Sequence, residues 1–191
     1  MMRLTLLAGL LGACFCMPVQ ALDIAGVEVP QEASPTGLEQ SLSLNGAGVR
    51  KKFFVSVYVA GLYLPQAEDN AARLLAEPPA NRVLMHFVYS EVSRAKMDDA
   101  WEDGFESNLS AAAYQALKPR LQNFMALFDT LYEGDRVWLD YLPGEGTRVS
   151  INGEPRGMVP GADFNAALLA VWLGENPVTG SLKKALLGAV N

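Results

Sequence analysis

The sequence predicts an α+β fold built on a large, mainly antiparallel sheet. Half of its 191 residues are apolar and 19% are charged, which is typical of a globular chain rather than a disordered one. Strand-like segments follow one another through short turns, and the helical segments are grouped between and after them. This order disfavours alternating βαβ units, because those place a helix between each pair of parallel strands.

The first part of the body is dominated by strand-like segments. Residues 24–30 predict a short strand, and residues 38–44 alternate apolar and polar side chains. Residues 45–48, Asn-Gly-Ala-Gly, predict a turn. Residues 49–64 carry the strongest strand signal, since they are rich in β-branched and aromatic residues and are closed by Pro65.

Helices and strands then follow in blocks. Ser93 is a good N-cap for a helix in which Met97, Trp101 and Phe105 recur every four residues, and Asn152-Gly153 is a strong hairpin signal. Nine segments complete the prediction: helices over 67–76, 93–109, 111–131 (through a break or kink at Pro119), 162–173 and 181–187, and strands over 82–89, 136–142, 147–151 and 157–159.

Charge and the scarcity of metal ligands exclude several function classes. The chain has 15 basic and 21 acidic residues, a net charge of −6, whereas a nucleic-acid binder needs a basic patch for phosphates. His86 is the only histidine, and Cys14 and Cys16 lie in a segment that we expect to be removed, so the sequence indicates no metal site and no cofactor. We interpret His86 as a half-buried strand residue.

The first 21 residues predict a signal peptide. Arg3 precedes a nearly uninterrupted apolar stretch, and residues 18–21 are typical of an export cleavage site. Cleavage after Ala21 would leave one domain over residues 22–191, periplasmic or secreted, with no transmembrane segment. Residues 11–14 also resemble a lipobox, and in that alternative Cys14 is lipidated and becomes the N terminus.

The pattern of residues 49–64 makes Arg50 and Tyr58 candidates for a binding site. Side chains of a strand alternate between faces, and the odd positions predict an apolar core face formed by Phe53, Val55, Val57 and Val59. The even positions mix aromatic, hydroxyl and cationic groups. On a straight strand Arg50 and Tyr58 would lie about 26 Å apart, so they could share a ligand only if a bulge or bend near residues 51–52 folded Arg50 back. Otherwise this face is partly solvated, with Tyr58 on the rim of the core.

An ordered set of motifs resembles the chalcone isomerase-like family, most closely its exported bacterial branch. The set begins with residues 44–50, Leu-Asn-Gly-Ala-Gly-Val-Arg, and residues 54–64. The later matches are, in order, Ala100-Trp101, Gly104-Phe105, Asn108, Gly134-Asp135, residues 143–147, Asn152-Gly153, residues 171–174 and Pro177. The resemblance covers about residues 22–190. It implies an open-faced β-sandwich, in which helices pack on one face of a large antiparallel sheet and a ligand cleft lies between the two.

The resemblance also implies roles for individual residues. Members that are enzymes close a flavanone ring with an arginine, a threonine, a tyrosine, an asparagine and a late hydroxyl, and fatty-acid-binding members hold a carboxylate with the arginine and a tyrosine. Here Arg50 matches the arginine, Tyr58 stands at the threonine position as in the fatty-acid-binding branch, and Tyr89 matches the tyrosine. Lys96 and Val171 fall where the asparagine and the late hydroxyl are expected.

These observations favour an exported, non-catalytic protein that binds a fatty acid or similar apolar carboxylate through Arg50, Tyr58 and Tyr89. One alternative is an intramolecular lyase of the chalcone isomerase type. Another is a structural or protein-interaction module whose cleft is filled by its own side chains. Cleft volume separates the last alternative from the other two, whereas hydroxyl or amide groups around Arg50 would favour the enzyme. The sequence leaves the oligomeric state open.

Overall fold

A seven-stranded antiparallel sheet with helices on one face organises the chain. The structure is a computed structural model that describes residues 21–188, so the predicted signal peptide lies outside the described residues except for Ala21. The strands are β1 (Ala21–Ile24), β2 (Val27–Pro30), β3 (Glu32–Ala33), β4 (Leu42–Lys52), β5 (Val55–Leu64), β6 (Asn81–Phe87), β7 (Glu91–Val92), β8 (Leu131–Tyr132), β9 (Arg136–Leu142), β10 (Gly146–Ile151) and β11 (Glu154–Val159). The helices are α1 (Ala71–Ala76), α2 (Arg94–Asn108), α3 (Ala111–Met125), α4 (Ala162–Leu173) and α5 (Gly180–Leu186).

The sheet confirms the predicted fold class. Its strand order is β11-β10-β9-β6-β5-β4-β3, and every neighbouring pair is antiparallel. Strands β1 and β2 form a separate hairpin, and β7 pairs with β8. Meanders and hairpins therefore build the sheet, as the order of segments along the chain predicted.

Both faces of the sheet are apolar, but they are covered differently. The helices bury one face, where Phe105, Phe124 and Trp172 pack in a large core. On the opposite face, the β1–β2 hairpin contributes Val27 and Val29 to a smaller cluster. The helices thus lie on one face, as the family resemblance implied, while the N-terminal hairpin covers part of the other.

The prediction of one continuous strand over residues 49–64 is wrong. Strand β4 ends at Lys52, Phe53 and Phe54 form a two-residue turn, and β5 starts at Val55. Two-residue turns favour glycine, asparagine or aspartate, and none of these marks this position. The predicted core face is wrong as well, since Phe53 is 88% exposed and Val55 is 44% exposed. Val57 packs against the helix-side core, whereas Val59 belongs to the cluster on the opposite face.

Other boundaries also differ from the prediction. Residues 24–30 belong to the β1–β2 hairpin, which turns at Ala25 and Gly26 with positive φ angles. The third helix ends at Met125 rather than at residue 131, and β8 follows it. The N-cap of α2 is confirmed, because the Ser93 side chain accepts a hydrogen bond from the backbone amide of Lys96.

The glycines of residues 45–48 allow a close approach rather than a turn. These residues lie inside β4, and α5 packs directly on them. A methyl group on Gly46 would overlap the carbonyl oxygen of Ala185, and one on Gly48 would lie 2.7 Å from the Cβ of Ala185. The glycines therefore let the backbone of α5 rest against the strand.

We expect Gly46→Ala to lower the free energy of unfolding by about 1–3 kcal/mol, because the new methyl group forces α5 away from β4. Gly180→Ala is the matched control, since it lies in α5 and its added methyl group meets no atom within 4 Å. Urea denaturation should leave the control within about 0.5 kcal/mol of the wild type. Equal stability of the two variants would contradict this packing.

Candidate functional site

A cleft of about 340 Å³ opens between the β4–β5 end of the sheet and the helices. This volume lies at the lower end of the range of about 300–1,000 Å³ that is usual for small-molecule sites. The sheet side contributes Arg50, Tyr58 and Tyr89, and the helix side contributes Met97, Trp101 and Val171. The structure thus brings the three predicted site residues into one cleft.

The β4–β5 hairpin places Arg50 beside Tyr58. The two residues are direct partners in the antiparallel ladder, because the chain reverses at Phe53 and Phe54. Directly opposite residues have Cβ atoms roughly 5 Å apart. The separation of about 26 Å that a straight strand would impose on Arg50 and Tyr58 therefore does not apply. The bend that a shared site requires is therefore present, slightly beyond the expected position at residues 51–52.

A β-bulge at Val57 sets which side chains face the cleft. Lys51 pairs with Ser56 and Arg50 pairs with Tyr58, so Val57 is an extra residue in β5. A bulge shifts the alternation of side chains by one, and both Val57 and Tyr58 consequently line the cleft. The Val57 carbonyl oxygen accepts hydrogen bonds from the amides of Val88 and Tyr89, at 3.0 and 3.2 Å, and so holds Tyr89 at the cleft.

Tyr58 is buried and fixed by α4. Its hydroxyl oxygen accepts a hydrogen bond of 3.0 Å from the indole Nε1 of Trp172, a side chain that is 1% exposed. Burial raises the pKa of Tyr58, and this exceeds the opposing effects of the Trp172 hydrogen bond and of the Arg50 charge. The phenol therefore stays protonated at neutral pH, and within residues 21–188 its O–H proton is donated to no group.

Arg50 is half-buried, and its guanidinium has no hydrogen bond or ion pair with any other described residue. Lys52 and Lys96 are exposed on the same cleft, together with a single carboxylate, that of Glu91. Three cations and one anion thus line this cleft, and the same three cations also line an adjoining groove with the carboxylates of Asp99 and Asp103. The excess of cations in the cleft favours an anionic ligand, although the whole chain carries a net charge of −6.

Trp101, to which the sequence assigned no role in a site, lines the inner part of the cleft. Trp101 packs edge-on against Phe124 and Trp172, with ring centroids 5.1 and 5.7 Å apart. Its buried Nε1 donates to no acceptor among the described residues. The four-residue spacing placed Trp101 on the apolar side of α2, but no local pattern indicates that Trp172 contacts Tyr58.

His86 lies away from this cleft. It is half-buried in β6, as predicted, and pairs with Val59, whose side chain belongs to the opposite face of the sheet. Burial lowers the pKa of His86, and the charge of Arg136 lowers it further. Residues 21–188 contain no group of three or more histidine, cysteine, aspartate or glutamate side chains arranged to hold a metal ion.

Within the part of the chain that the structure describes, no helix has the length and apolarity to cross a membrane.

Comparison with known proteins identifies similar sequences and folds. A family model described as chalcone isomerase-like matches residues 21–188. The crystal structure of a fatty-acid binding protein from Arabidopsis thaliana matches with a TM-score of 0.69 and 17% sequence identity, over 88% of this chain and 96% of that chain. At this identity the likeness shows the fold alone. A search of curated proteins finds no match.

The burial of Tyr58 predicts a loss of stability at alkaline pH. Because its pKa is higher in the folded than in the unfolded chain, the contribution is complete below about pH 10 and is lost as the pH rises further, by up to about 1.4 kcal/mol per pH unit. Urea denaturation from pH 9 to 11 should therefore show a shallower decline for Tyr58→Phe than for the wild type. Tyr132→Phe, at an exposed position, should follow the wild type. Equal slopes for wild type and Tyr58→Phe would contradict the assignment.

Proposed function

This chain belongs to the chalcone isomerase-like family, and from that premise we propose that it binds a fatty acid or a similar apolar carboxylate without catalysing a reaction. One observation carries the proposal. Arg50, with no partner among the described residues, lies directly beside the protonated Tyr58 in a cleft that is otherwise mostly apolar. We infer that Arg50, Tyr58 and Tyr89 form the site for the carboxylate.

The chemistry of the two ends of such a ligand matches the two parts of the cleft. A guanidinium can hold both oxygens of a carboxylate, and the free O–H of Tyr58 can donate to one of them. The chain of the ligand would lie against Met85, Val92, Met97 and Trp101. Each methylene group removed from water there contributes about 0.8 kcal/mol. Binding therefore needs one polar contact point and an apolar wall, and this cleft provides both.

The Arabidopsis thaliana protein of similar fold is described as a fatty-acid binding protein, which supports the same ligand class for this chain. Its sequence identity of 17% is too low to transfer the ligand by itself. The residues around Arg50 carry the argument.

Ring closure by this cleft is less well supported. That reaction needs several donors aimed at the developing charge. Val171 lines the cleft where the family resemblance implies a hydroxyl, and it cannot donate a hydrogen bond. Lys96, at the position of the asparagine, is an exposed ammonium at the opening. A cleft filled by its own side chains is also disfavoured, because about 340 Å³ is open.

Export remains part of the proposal. The apolar segment before Ala21 is the reason for placing the protein in the periplasm or outside the cell. Cleavage after Ala21, the first residue of β1, would leave the pairing of Leu22 with Val29 and the rest of that hairpin intact.

Arg50→Ala should weaken the binding of a fluorescent fatty acid by about 30-fold or more. Losing one partner of a buried charge pair costs about 2–5 kcal/mol, and each 1.4 kcal/mol is about tenfold in affinity. Arg50→Lys should also bind poorly, because an ammonium lacks the planar fork of the guanidinium. Titration of the fluorescent fatty acid into each protein measures the effect.

Arg136→Ala is the matched control, since Arg136 is exposed and lies next to His86 on the opposite face of the sheet. It should bind as the wild type does. The methyl ester of the same fatty acid serves as a ligand control, and the wild type should bind it about as weakly as Arg50→Ala binds the acid. Equal affinity of the wild type, Arg50→Ala and Arg50→Lys for the acid would refute this site.

A further inference from the structure

The β4–β5 hairpin ends in an exposed pair of aromatic rings. Phe53 is 88% exposed and Phe54 is 99% exposed, the largest values among the exposed large apolar side chains of residues 21–188. Val55, which follows them, is 44% exposed. Adjacent apolar side chains with this exposure are typical of a surface that meets a partner or a membrane.

The turn requires an unfavourable backbone conformation at Phe53. Phe53 has a φ angle of 56°, in the region that glycine and asparagine favour and bulky residues rarely adopt. Phe54 is almost wholly exposed, so packing within the described chain does not explain its ring. Strained positions of this kind often mark functional segments.

Basic side chains surround the exposed rings. Lys51 and Lys52 immediately precede Phe53, and both are exposed. Arg50 and Lys96 lie at the adjacent cleft. An apolar tip with a basic collar, in a chain whose net charge is −6, complements a surface that is both apolar and anionic.

The exposed tip is continuous with the opening of the cleft. Phe53 and Val55 line the cleft, and Tyr89, which is 40% exposed, lines it as well. Phe54 and Lys51 do not line it. A surface that covers the tip would therefore also face the cleft opening, while two of the tip residues can be changed without altering the cleft wall.

We propose that residues 51–55 dock on an anionic lipid bilayer. The rings of Phe53 and Phe54 enter the boundary between head groups and acyl chains, and Lys51 and Lys52 contact the anionic head groups. The cleft then opens towards the membrane, from which an acyl ligand can enter. The entry of an acyl ligand from the membrane rests on the proposed function, whereas docking on the bilayer needs no ligand in the cleft.

Flotation with lipid vesicles tests the docking directly. The protein is used in the form that its host accumulates, and vesicles contain equal parts of phosphatidylglycerol and phosphatidylcholine, or phosphatidylcholine alone. We expect binding to the anionic vesicles, weaker binding to the neutral ones, and release by high salt. Phe54→Ser and Lys51→Glu should each reduce partitioning about tenfold or more. Phe54→Ser removes an apolar ring from the boundary between head groups and acyl chains. Each basic residue near an anionic surface contributes about fivefold, and Lys51→Glu also reverses the charge.

Two matched controls identify the surface involved. Tyr132→Ser removes another exposed aromatic ring, and Lys184→Glu reverses another exposed charge, both outside residues 51–55 and the cleft lining. They should float with the vesicles as the wild type does. All variants share the N terminus of the wild type, so any contribution of that end cancels.

Three results would overturn the proposal. They are no binding of the wild type to anionic vesicles, binding of Phe54→Ser and Lys51→Glu that equals that of the wild type, or a lipid-free dimer that both substitutions abolish. Fatty-acid titration without vesicles separates this proposal from the proposed function, since Phe54→Ser and Lys51→Glu should keep wild-type ligand affinity. Vesicle binding without fatty-acid binding would overturn the proposed function and leave docking in place. Fatty-acid binding without vesicle binding would overturn docking and leave the proposed function in place.

Discussion

The pairing of Arg50 with Tyr58 across the β4–β5 hairpin is the constraint on which the site depends. It places a guanidinium without a partner among residues 21–188 next to a buried phenol whose proton is free. The bulge at Val57 is required for this arrangement, because it shifts the alternation of β5 so that Tyr58 turns towards the helices. Without the shift, Tyr58 would point to the face of the sheet away from the helices.

The helices hold this arrangement in place rather than merely covering it. Trp172 of α4 donates to the Tyr58 hydroxyl, and Trp101 of α2 packs edge-on against Trp172. The phenol is thereby oriented by a buried donor, and Tyr58 and Trp101, which line the cleft, also belong to the core. Core packing and the shape of the cleft therefore depend on shared residues, and a substitution at Trp172 would disturb both the core and the position of Tyr58.

The sequence predicts most of this fold because many local signals agree with the tertiary structure. Ser93 caps α2, and Asn152-Gly153, with positive φ angles at both residues, turns the chain between β10 and β11. The turn at Phe53-Phe54 could not be predicted, since two phenylalanines in a β-branched segment favour continuation of the strand. Gly46 could not be understood either, because its role depends on α5, far away in the chain.

The candidate site shows a similar division. Local patterning offered Arg50 and Tyr58 only as one of two interpretations, and the family resemblance selected them together with Tyr89. The structure places all three in one cleft. Periodicity alone favoured a partly solvated face with Tyr58 on its rim. It treated residues 49–64 as one strand, and within a single strand Arg50 and Tyr58 cannot be partners across a hairpin. The contact between Trp172 and Tyr58 joins residues more than a hundred positions apart, so no short motif reports it.

A crystal structure with a medium-chain fatty acid that carries bromine at its methyl end would show whether Arg50 and Tyr58 hold the carboxylate, since anomalous scattering locates the tail independently of the head. We expect the carboxylate within hydrogen-bond distance of the Arg50 guanidinium and the Tyr58 hydroxyl, with the bromine between the sheet and α2. A carboxylate in solvent, a bromine beside Arg50, or an empty cleft at saturating ligand would contradict this expectation.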